Sequence, residues 1–354
     1  MMIFPISRIS RRLKLWLVAM FMTLAIAACS GKVIQHPISK QLSPAIACQM
    51  ISHELGSTKV CGQPQKIVAI GTSVLELLLS LDIQPSGFGD RVLFHLGDYD
   101  HPSTQIPYLG KLVTSQPINV GLDYKPSLEA LLKIKPDLIL GTEVNRNQYE
   151  MLSKIAPTLL FKSLDTKTNL RVIAKAIGNP QKAEQIIAEN NQRLSNAHKL
   201  FSPFIAIHPR ALMLTPDNHL IQNQLVTSGN SLCGSLVADL GFKLVDIPAT
   251  NTKIPPLISI EMLPQLNNAD LIILLGYNFG KSNQLNEPNK FQESQINHLK
   301  QQWEKNAIAQ SMQASKDGQV YFLPAYLCLG LPGPIGTELY LKELQKQLLP
   351  TQIN

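Results

Sequence analysis

The sequence predicts an α/β protein with two parallel-sheet, Rossmann-like lobes joined by a long interdomain helix. Three observations lead to this prediction. Short apolar strands alternate with helical segments along most of the 354 residues, helical spacing continues from Asn169 to about Leu200, and one acidic element occurs once in each half. Strands separated by helical segments of this length are typical of parallel sheets covered by helices.

The N-terminus has the layout of a secretory signal peptide over residues 1–28, with four cations before an apolar run from Leu15 to Ala28. Its end, Ile26-Ala27-Ala28-Cys29, resembles the bacterial lipobox, in which the Cys is lipidated before cleavage. We therefore expect Cys29 to begin the mature chain and to carry a lipid anchor, with a tether and N-terminal segment over 29–64. The alternatives are an ordinary signal peptide or a single membrane anchor, although the run is shorter than the ~20 residues of a spanning helix.

The net charge of +7 reflects this leader more than the mature chain. Removing Arg8, Arg11, Arg12 and Lys14 with the leader lowers the net charge to +3. No Lys/Arg cluster remains, and a nucleic-acid surface requires concentrated cationic charge. The charge pattern therefore excludes nucleic acid as a partner.

The four cysteines after Cys29 are consistent with disulfides in an oxidising compartment. Cys48 and Cys61 lie close together before the first strong strand, and we expect them to pair. Cys233 and Cys328 could form a second disulfide or remain two buried free thiols, and the sequence does not decide between these alternatives. No cysteine spacing indicates a metal site, and we expect no resident cofactor.

The first lobe is predicted over 65–165, beginning with the strand Lys66–Ile70 and a turn at Gly71. Ser73 and Glu76 fit an S-x-x-E capping box, which predicts a helix continuing through Leu81. A long polar loop is expected up to Tyr108. The later elements of this lobe are two helices and two strands: helix 128–134, strand 138–140, helix 148–155 and strand 159–161.

The linker helix is predicted over 166–203 and the second lobe over 204–354. Gly178-Asn179-Pro180 interrupts the linker as a kink or a joint between two helices. The second lobe repeats the alternation: strand 211–214, helix 231–240, strand 243–245, helix 260–266, strand 271–275, helix 295–305, strand 320–323 and helix 336–348. The asparagine-rich stretch 278–297 is expected to be a surface insertion.

The acidic element consists of Ser127-Leu128-Glu129 before a strand at Asp137, and Ser259-Ile260-Glu261 before a strand at Asp270. In each copy the Ser can cap a short helix. The Glu then lies in the first turn, where a carboxylate gains about 0.3–1 kcal/mol from the helix dipole. Helix stabilisation alone is thus one sufficient reason for both acids.

Three stretches, 125–140, 149–158 and 239–242, resemble the periplasmic binding proteins for iron siderophores, heme and cobalamin, and the resemblance extends from Lys66 to Leu349. It implies an extracytoplasmic, non-enzymatic, monomeric component of an ABC importer, anchored by lipid on the outer side of the cytoplasmic membrane. Its ligand would be a ferric siderophore, delivered to the permease. Glu129 and Glu261 match the family's surface glutamates, which dock into arginine pockets on the two permease subunits.

Ligands of open α/β sheets lie beyond the carboxyl ends of the strands. Ferric chelates present anionic oxygens, which Arg donors and aromatic faces bind without contact to the iron. Among the residues that follow strands, we predict these ligand contacts: Ser73, Arg91, Arg146, Tyr277 and Tyr326. Tyr108 and Trp303 are further aromatic candidates. Few cations follow the strands of the second lobe, which favours a hydroxamate or citrate-type chelate over a catecholate.

Several alternatives stay open at this point. Heme or cobalamin is the second ligand class, with Tyr277 or Tyr326 as an axial heme ligand. A free-metal importer would need clustered His and carboxylate ligands, whereas the eight histidines are scattered. A hydrolase is disfavoured because no G-x-S-x-G or H-E-x-x-H motif occurs. An adhesive lipoprotein would bind no small ligand saturably.

Overall fold

The structure is a computed structural model that describes residues 47–92, 94–216, 224–245, 257–276 and 288–349. The predicted leader, Cys29 and Tyr277 lie outside these ranges. Within them, no helix is both long and apolar enough to cross a membrane.

The described strands and helices alternate along most of the chain. The strands are β1 Cys48–His53, β2 Gly56–Cys61, β3 Ile67–Ile70, β4 Gly87–Asp90, β5 Ile118–Leu122, β6 Lys125–Pro126, β7 Leu138–Thr142, β8 Thr158–Phe161, β9 Arg210–Pro216, β10 Gln224–Thr227, β11 Lys243–Val245, β12 Leu257–Ser259, β13 Leu271–Gly276 and β14 Val320–Pro324. The α-helices are α1 Thr72–Ser80, α2 Pro102–Gln105, α3 Leu128–Ile134, α4 Tyr149–Ile155, α5 Thr166–Ala176, α6 Pro180–Ile207, α7 Leu232–Asp239, α8 Pro288–Lys305, α9 Ala307–Ser311, α10 Gln313–Lys316 and α11 Pro334–Leu348. Shorter turns of 3₁₀ or π type are Gly110–Leu112, Glu143–Gln148, Ile260–Leu266 and Tyr326–Gly330.

The N-terminal lobe is built on a sheet in the order β6-β5-β4-β3-β7-β8, parallel except for the edge strand β6. All four residues of β3 are buried. Val68 and Ile70 pack in a cluster on one face, and Ile67 and Ala69 pack in a larger cluster on the other. Continuous apolar strands of this kind form because helices cover both faces of a parallel sheet.

The C-terminal lobe is built on a mixed sheet in the order β12-β10-β9-β13-β14, with β11 also paired to β9. β9 is parallel to β11 and β13, whereas β10 is antiparallel to both β9 and β12. In each lobe a single strand, β6 or β10, runs against the other five, so both sheets are mainly parallel and both lobes belong to the α/β class.

The helix α6 connects the lobes, and its 28 residues give it a length of about 42 Å. Ala183, Ile186 and Ile187 near its start belong to the core of the N-terminal lobe. Ala197 and Phe201 near its end belong to the core of the C-terminal lobe. The predicted interruption is a joint: α5 ends at Ala176, and α6 begins at Pro180 after Gly178, whose φ of 82° is accessible to glycine.

The segment before β3 contains the hairpin β1–β2, whose register places Cys48 opposite Cys61, and the two form a disulfide, as expected from the sequence. Three other local features differ from the predictions. β5 was not predicted. Helix α8 begins at Pro288, so part of the predicted insertion is helical, and 260–266 is a 3₁₀ helix because Pro264 interrupts α-helical hydrogen bonding.

Candidate functional site

A cavity of about 290 Å³ lies between the ends of the N-terminal strands and the segment Tyr326–Gly330 of the C-terminal lobe. The residues that line it are Gly71, Thr72, Ser73, Arg91, Val92, Asp123, Thr142, Glu143, Val144, Ser163, Tyr326, Leu329 and Gly330. Three of the predicted ligand residues, Ser73, Arg91 and Tyr326, are among them. Tyr277 lies outside the described residues.

The wall beside β3 and β4 is held by a buried carboxylate. Asp90 accepts a hydrogen bond of 2.8 Å from the Thr72 hydroxyl and one of 2.6 Å from the Arg91 backbone N–H. Burial raises the pKa of Asp90 to about 6, although both hydrogen bonds oppose the shift. Asp90 thus orients Thr72 and Arg91, which follow the carboxyl ends of the neighbouring strands β3 and β4.

Arg91 faces Asp123, the residue that follows β5. Arg91 Nη1 lies 3.5 Å from Asp123 Oδ2, with 58% of the Arg91 side chain exposed against 10% for Asp123. Desolvation raises the pKa of Asp123, and the Arg91 charge partly opposes this. The pair is long for an ion pair, so Arg91 retains freedom to turn toward a ligand.

Arg146 forms an ion pair with the β1–β2 hairpin. Its Nη2 lies 3.1 Å from Glu54 in the β1–β2 hairpin, and Lys162 lies 3.7 Å from the same carboxylate. Arg146 does not line the cavity as described, so its ligand contact stays a prediction.

Tyr326 closes the cavity from the other lobe within a cluster of aromatic rings. It stacks on Tyr108 with ring centroids 5.5 Å apart and meets Phe291 edge to face at 5.1 Å. Tyr108 comes from the N-terminal lobe, so these rings pack across the boundary between the lobes. Burial raises the pKa of Tyr326 well above its ordinary value.

The segment that carries Tyr326 is fixed by a disulfide between Cys328 and Cys233 near the start of α7. Trp303, by contrast, belongs to a core cluster of the C-terminal lobe, where its indole N–H donates to Ser315 at 3.2 Å. It does not line the cavity.

Glu76 joins the lobes behind the cavity. The predicted capping box is wrong, because α1 begins after Gly71 without a side-chain cap and Glu76 is completely buried inside it. Its carboxylate accepts hydrogen bonds of 2.7 Å from the backbone N–H groups of Gly333 and Gly336, at the start of α11. A Cβ at Gly333 would lie 2.7 Å from the carboxyl carbon, so glycine is required for this close approach.

The two predicted docking glutamates are both exposed but differ in their surroundings. In the first copy the Ser127 hydroxyl accepts from Ala130 N–H and caps α3, with Glu129 in its first turn. In the second copy Ser259 makes no cap to the backbone, and its hydroxyl bonds instead to Glu261, which holds the pKa of Glu261 below its ordinary value.

Sequence reasoning missed Asp123 and Ser163. Asp123 was missed because β5 was not identified, although Ile118 and Val120 are two residues apart, as expected on one face of a strand. Ser163 follows the predicted strand at 161 and donates to Glu143 Oε2 from both its N–H and its hydroxyl, at 2.8 and 3.0 Å. Among the described residues there is no cluster of three or more His, Cys, Asp or Glu arranged to hold a metal ion.

Comparisons with known proteins agree with this architecture. A family model described as periplasmic binding protein matches residues 67–327. YhfQ of Bacillus subtilis, whose name describes a substrate-binding lipoprotein of an ABC transporter, is 26% identical over 84% of this chain and 88% of its own length. YfmC of the same organism, an Fe(3+)-citrate-binding protein, is 27% identical over 84% of each chain.

Solved structures extend the comparison to the fold. The crystal structure of Staphylococcus aureus SirA complexed with staphyloferrin B matches with a TM-score of 0.64 at 22% identity, covering 85% of this chain and 98% of SirA. Both chains therefore have the same two-lobe fold.

Proposed function

Since this chain belongs to the periplasmic binding protein family, we propose that it captures a ferric siderophore outside the cytoplasm and delivers it to an ABC importer. Members of this family are non-enzymatic components of transporters. The observation that carries the proposal is the cavity between the carboxyl ends of the N-terminal strands and Tyr326 of the other lobe. The names of YhfQ and YfmC support the transporter class and an iron chelate as ligand.

The predicted contacts keep their roles in this proposal. Ser73, Arg91 and Tyr326 bind the chelate, and Arg146 and Tyr277 are further contacts. A hydroxamate or citrate-type chelate fits the single arginine in the described wall better than a highly anionic catecholate does. The protein acts as a monomer anchored by lipid at Cys29.

Delivery depends on a second surface. Glu129 and Glu261 each stand exposed at the first turn of a short helix, one in each lobe. Around Glu129 the neighbouring Leu128 and Leu132 are also exposed, at 36% and 60%. A carboxylate among exposed apolar side chains suits a protein interface, where charge selects the partner and apolar area contributes to affinity.

Ligand capture is tested by calorimetric titration of the mature chain with ferric hydroxamate, ferric citrate, ferric catecholate, hemin and cobalamin. We expect saturable 1:1 binding of a ferric chelate, with weaker binding of the same chelator free of iron. Binding of hemin or cobalamin alone would assign the other ligand class, and binding of none would overturn the proposal.

Docking is tested by the double variant Glu129→Ala/Glu261→Ala in a reconstituted transporter. Transport should be abolished while chelate affinity stays unchanged. The matched control is Glu189→Ala/Glu304→Ala, which removes two exposed carboxylates from α6 and α8 and should transport normally. Transport that survives the first double variant would discredit the assignment.

A further inference from the structure

The described wall of the cavity is not cationic. Among the described lining residues Arg91 is the only cation, while Asp123 and Glu143 are both acidic. Arg91 already faces Asp123, and Arg146 is held by Glu54. The sequence contains no arginine after Arg210, which pairs with Asp270 at 2.6 Å. A bidentate arginine pocket for a strongly anionic chelate is therefore missing from the part of the wall that the structure describes.

Asp123 is an acceptor with unused capacity. Its Oδ1 is buried and has no hydrogen-bond partner among the described residues, while the carboxylate as a whole is engaged by the long contact from Arg91 to Oδ2 and by the backbone N–H of the adjacent Tyr124. A buried carboxylate oxygen without a donor is unfavourable because it has lost the hydrogen bonds of water. A ligand that brings a donor to this carboxylate would remove that cost.

The backbone holds Asp123 in place. Its N–H donates to the Asp90 carbonyl at 2.8 Å, and its own carbonyl accepts from Asn145 Nδ2 at 2.6 Å. Asn145 also accepts from the Thr142 N–H at 3.1 Å, which ties this position to the end of β7. The carboxylate therefore stands on a fixed frame at the junction of three strands, as a binding residue requires.

The charge of the chelate decides which class satisfies this site. Three hydroxamates cancel the charge of ferric iron, whereas citrate-type and catecholate complexes retain negative charge. A residual negative charge would be repelled by Asp123 and Glu143, and a hydroxamate complex would meet no such repulsion. Charge-assisted hydrogen bonds from an ammonium or amide N–H to a carboxylate are also the stronger kind.

We infer, on the basis of the proposed function, that Asp123 selects ferric hydroxamates that carry a hydrogen-bond donor beside the iron centre and disfavours anionic chelates. Arg91 contacts the hydroxamate oxygens when the donor reaches Asp123.

The test uses three chelates with the same iron-binding groups: ferrioxamine B, which ends in an ammonium, its N-acetyl derivative and its N-succinyl derivative, which ends in a carboxylate. The wild-type chain should bind the ammonium form at least about tenfold more tightly than the succinyl form, as a hydrogen bond to a charged group implies. Asp123→Asn should reduce that ratio to about threefold or less.

Glu150→Gln is the matched control. It removes one negative charge from an exposed position of α4 that does not line the cavity, so the ratio should stay within about twofold of wild type. A ratio that falls equally in both variants would overturn the role of Asp123. Thermal melting of Asp123→Asn checks that this variant is folded. The order of the wild-type affinities for the three chelates tests the inference without any variant.

The remaining outcomes separate this inference from the proposed function. Tighter wild-type binding of the succinyl form, of ferric citrate or of a ferric catecholate would overturn the charge selection and leave siderophore capture intact. Binding of no ferric chelate at all would overturn both.

Discussion

The two lobes face the same cavity in different ways. In the N-terminal lobe, residues after five parallel strands reach it, from Gly71 after β3 to Ser163 after β8. In the described part of the C-terminal lobe, only the segment Tyr326–Gly330 after β14 reaches it. Strand direction does not cause this difference, because each sheet has only one strand that runs against the others; the residues that follow β9, β11 and β13 lie outside the described residues, which leaves the segment after β14 as the described contribution of this lobe.

The two lobes also differ in what holds their parts of the cavity wall in position. The N-terminal wall is fixed by its own sheet, whereas the C-terminal segment is fixed from outside it by the Cys233–Cys328 disulfide, the aromatic rings and the Glu76 hydrogen bonds to α11. The C-terminal wall should therefore be the more sensitive to changes that lie away from the cavity.

The largest expected effect comes from removing the disulfide of the C-terminal lobe. Cys233→Ala/Cys328→Ala opens a bridge across a sequence separation of 95, and loop entropy predicts a loss of about 4–5 kcal/mol in the free energy of unfolding. Cys48→Ala/Cys61→Ala, with a separation of 13, should lose about 3 kcal/mol. Urea denaturation of both variants gives the comparison, and only the first should also weaken chelate binding. An equal effect on binding would contradict the special position of Cys328.

The aromatic contact across the lobes is tested by Phe291→Ala, with Phe201→Ala as its control. Both side chains are almost completely buried, so each variant should lose about 3–5 kcal/mol of stability. Only Phe291 contacts Tyr326, so only Phe291→Ala should lower chelate affinity by about tenfold or more. Calorimetry under conditions where both variants are folded decides this, and equal affinities would reject the role of the ring cluster.

Glu76→Ala tests the link between α1 and α11. It leaves the N–H groups of Gly333 and Gly336 buried without an acceptor, which costs about 2–4 kcal/mol in total. Hydrogen exchange should become faster at the start of α11 while the β3–β7 amides keep their protection. Uniform loss of protection would instead indicate a general role in stability.

Glu76 also predicts a pH dependence. Burial raises its pKa to about 7 from the ordinary 4.5, so the stability contributed by the protonated carboxyl is present below about pH 4.5 and is lost as the pH rises through about 7. The loss amounts to about 3 kcal/mol. Asp90, with a pKa of about 6, adds a slope of the same sign at lower pH. Glu76→Gln should flatten the stability profile between pH 6 and 7, and an unchanged slope there would contradict this assignment.

The smallest effect distinguishes the two copies of the acidic element. Ser127→Ala removes a helix cap and should lose about 1 kcal/mol of stability. Ser259→Ala should lose clearly less, because Ser259 caps no backbone N–H. It should instead raise the pKa of Glu261 toward its ordinary value, which NMR titration of the carboxyl carbon would detect. Equal losses of stability would reject the distinction.

Prediction from the sequence succeeded where the signal was local. The buried strand at Ile67–Ile70, the helix at Leu128–Ile134 and the joint at Pro180 all follow from apolar periodicity and from the backbone constraints of glycine and proline. β5 was missed because Asn119 and Gly121 are residue types that are depleted in strands, although the alternation of Ile118, Val120 and Leu122 with them has the period of a strand. Asp123 was missed with it, since the rule for finding ligand residues depends on knowing where each strand ends.

The sequence by itself determined the α/β class, the two-lobe arrangement and three residues of the cavity wall, because periodicity and strand ends are encoded in neighbouring residues. Only the tertiary structure showed that Glu76 is buried and bonded to α11 instead of capping α1, and that Arg146 forms an ion pair with Glu54. It also showed that Asp123 lines the cavity with one carboxylate oxygen that accepts no hydrogen bond from the described residues. Each of these depends on contacts between residues far apart in the chain. Local sequence patterns do not show which distant residues will bury a polar side chain or form its hydrogen bonds.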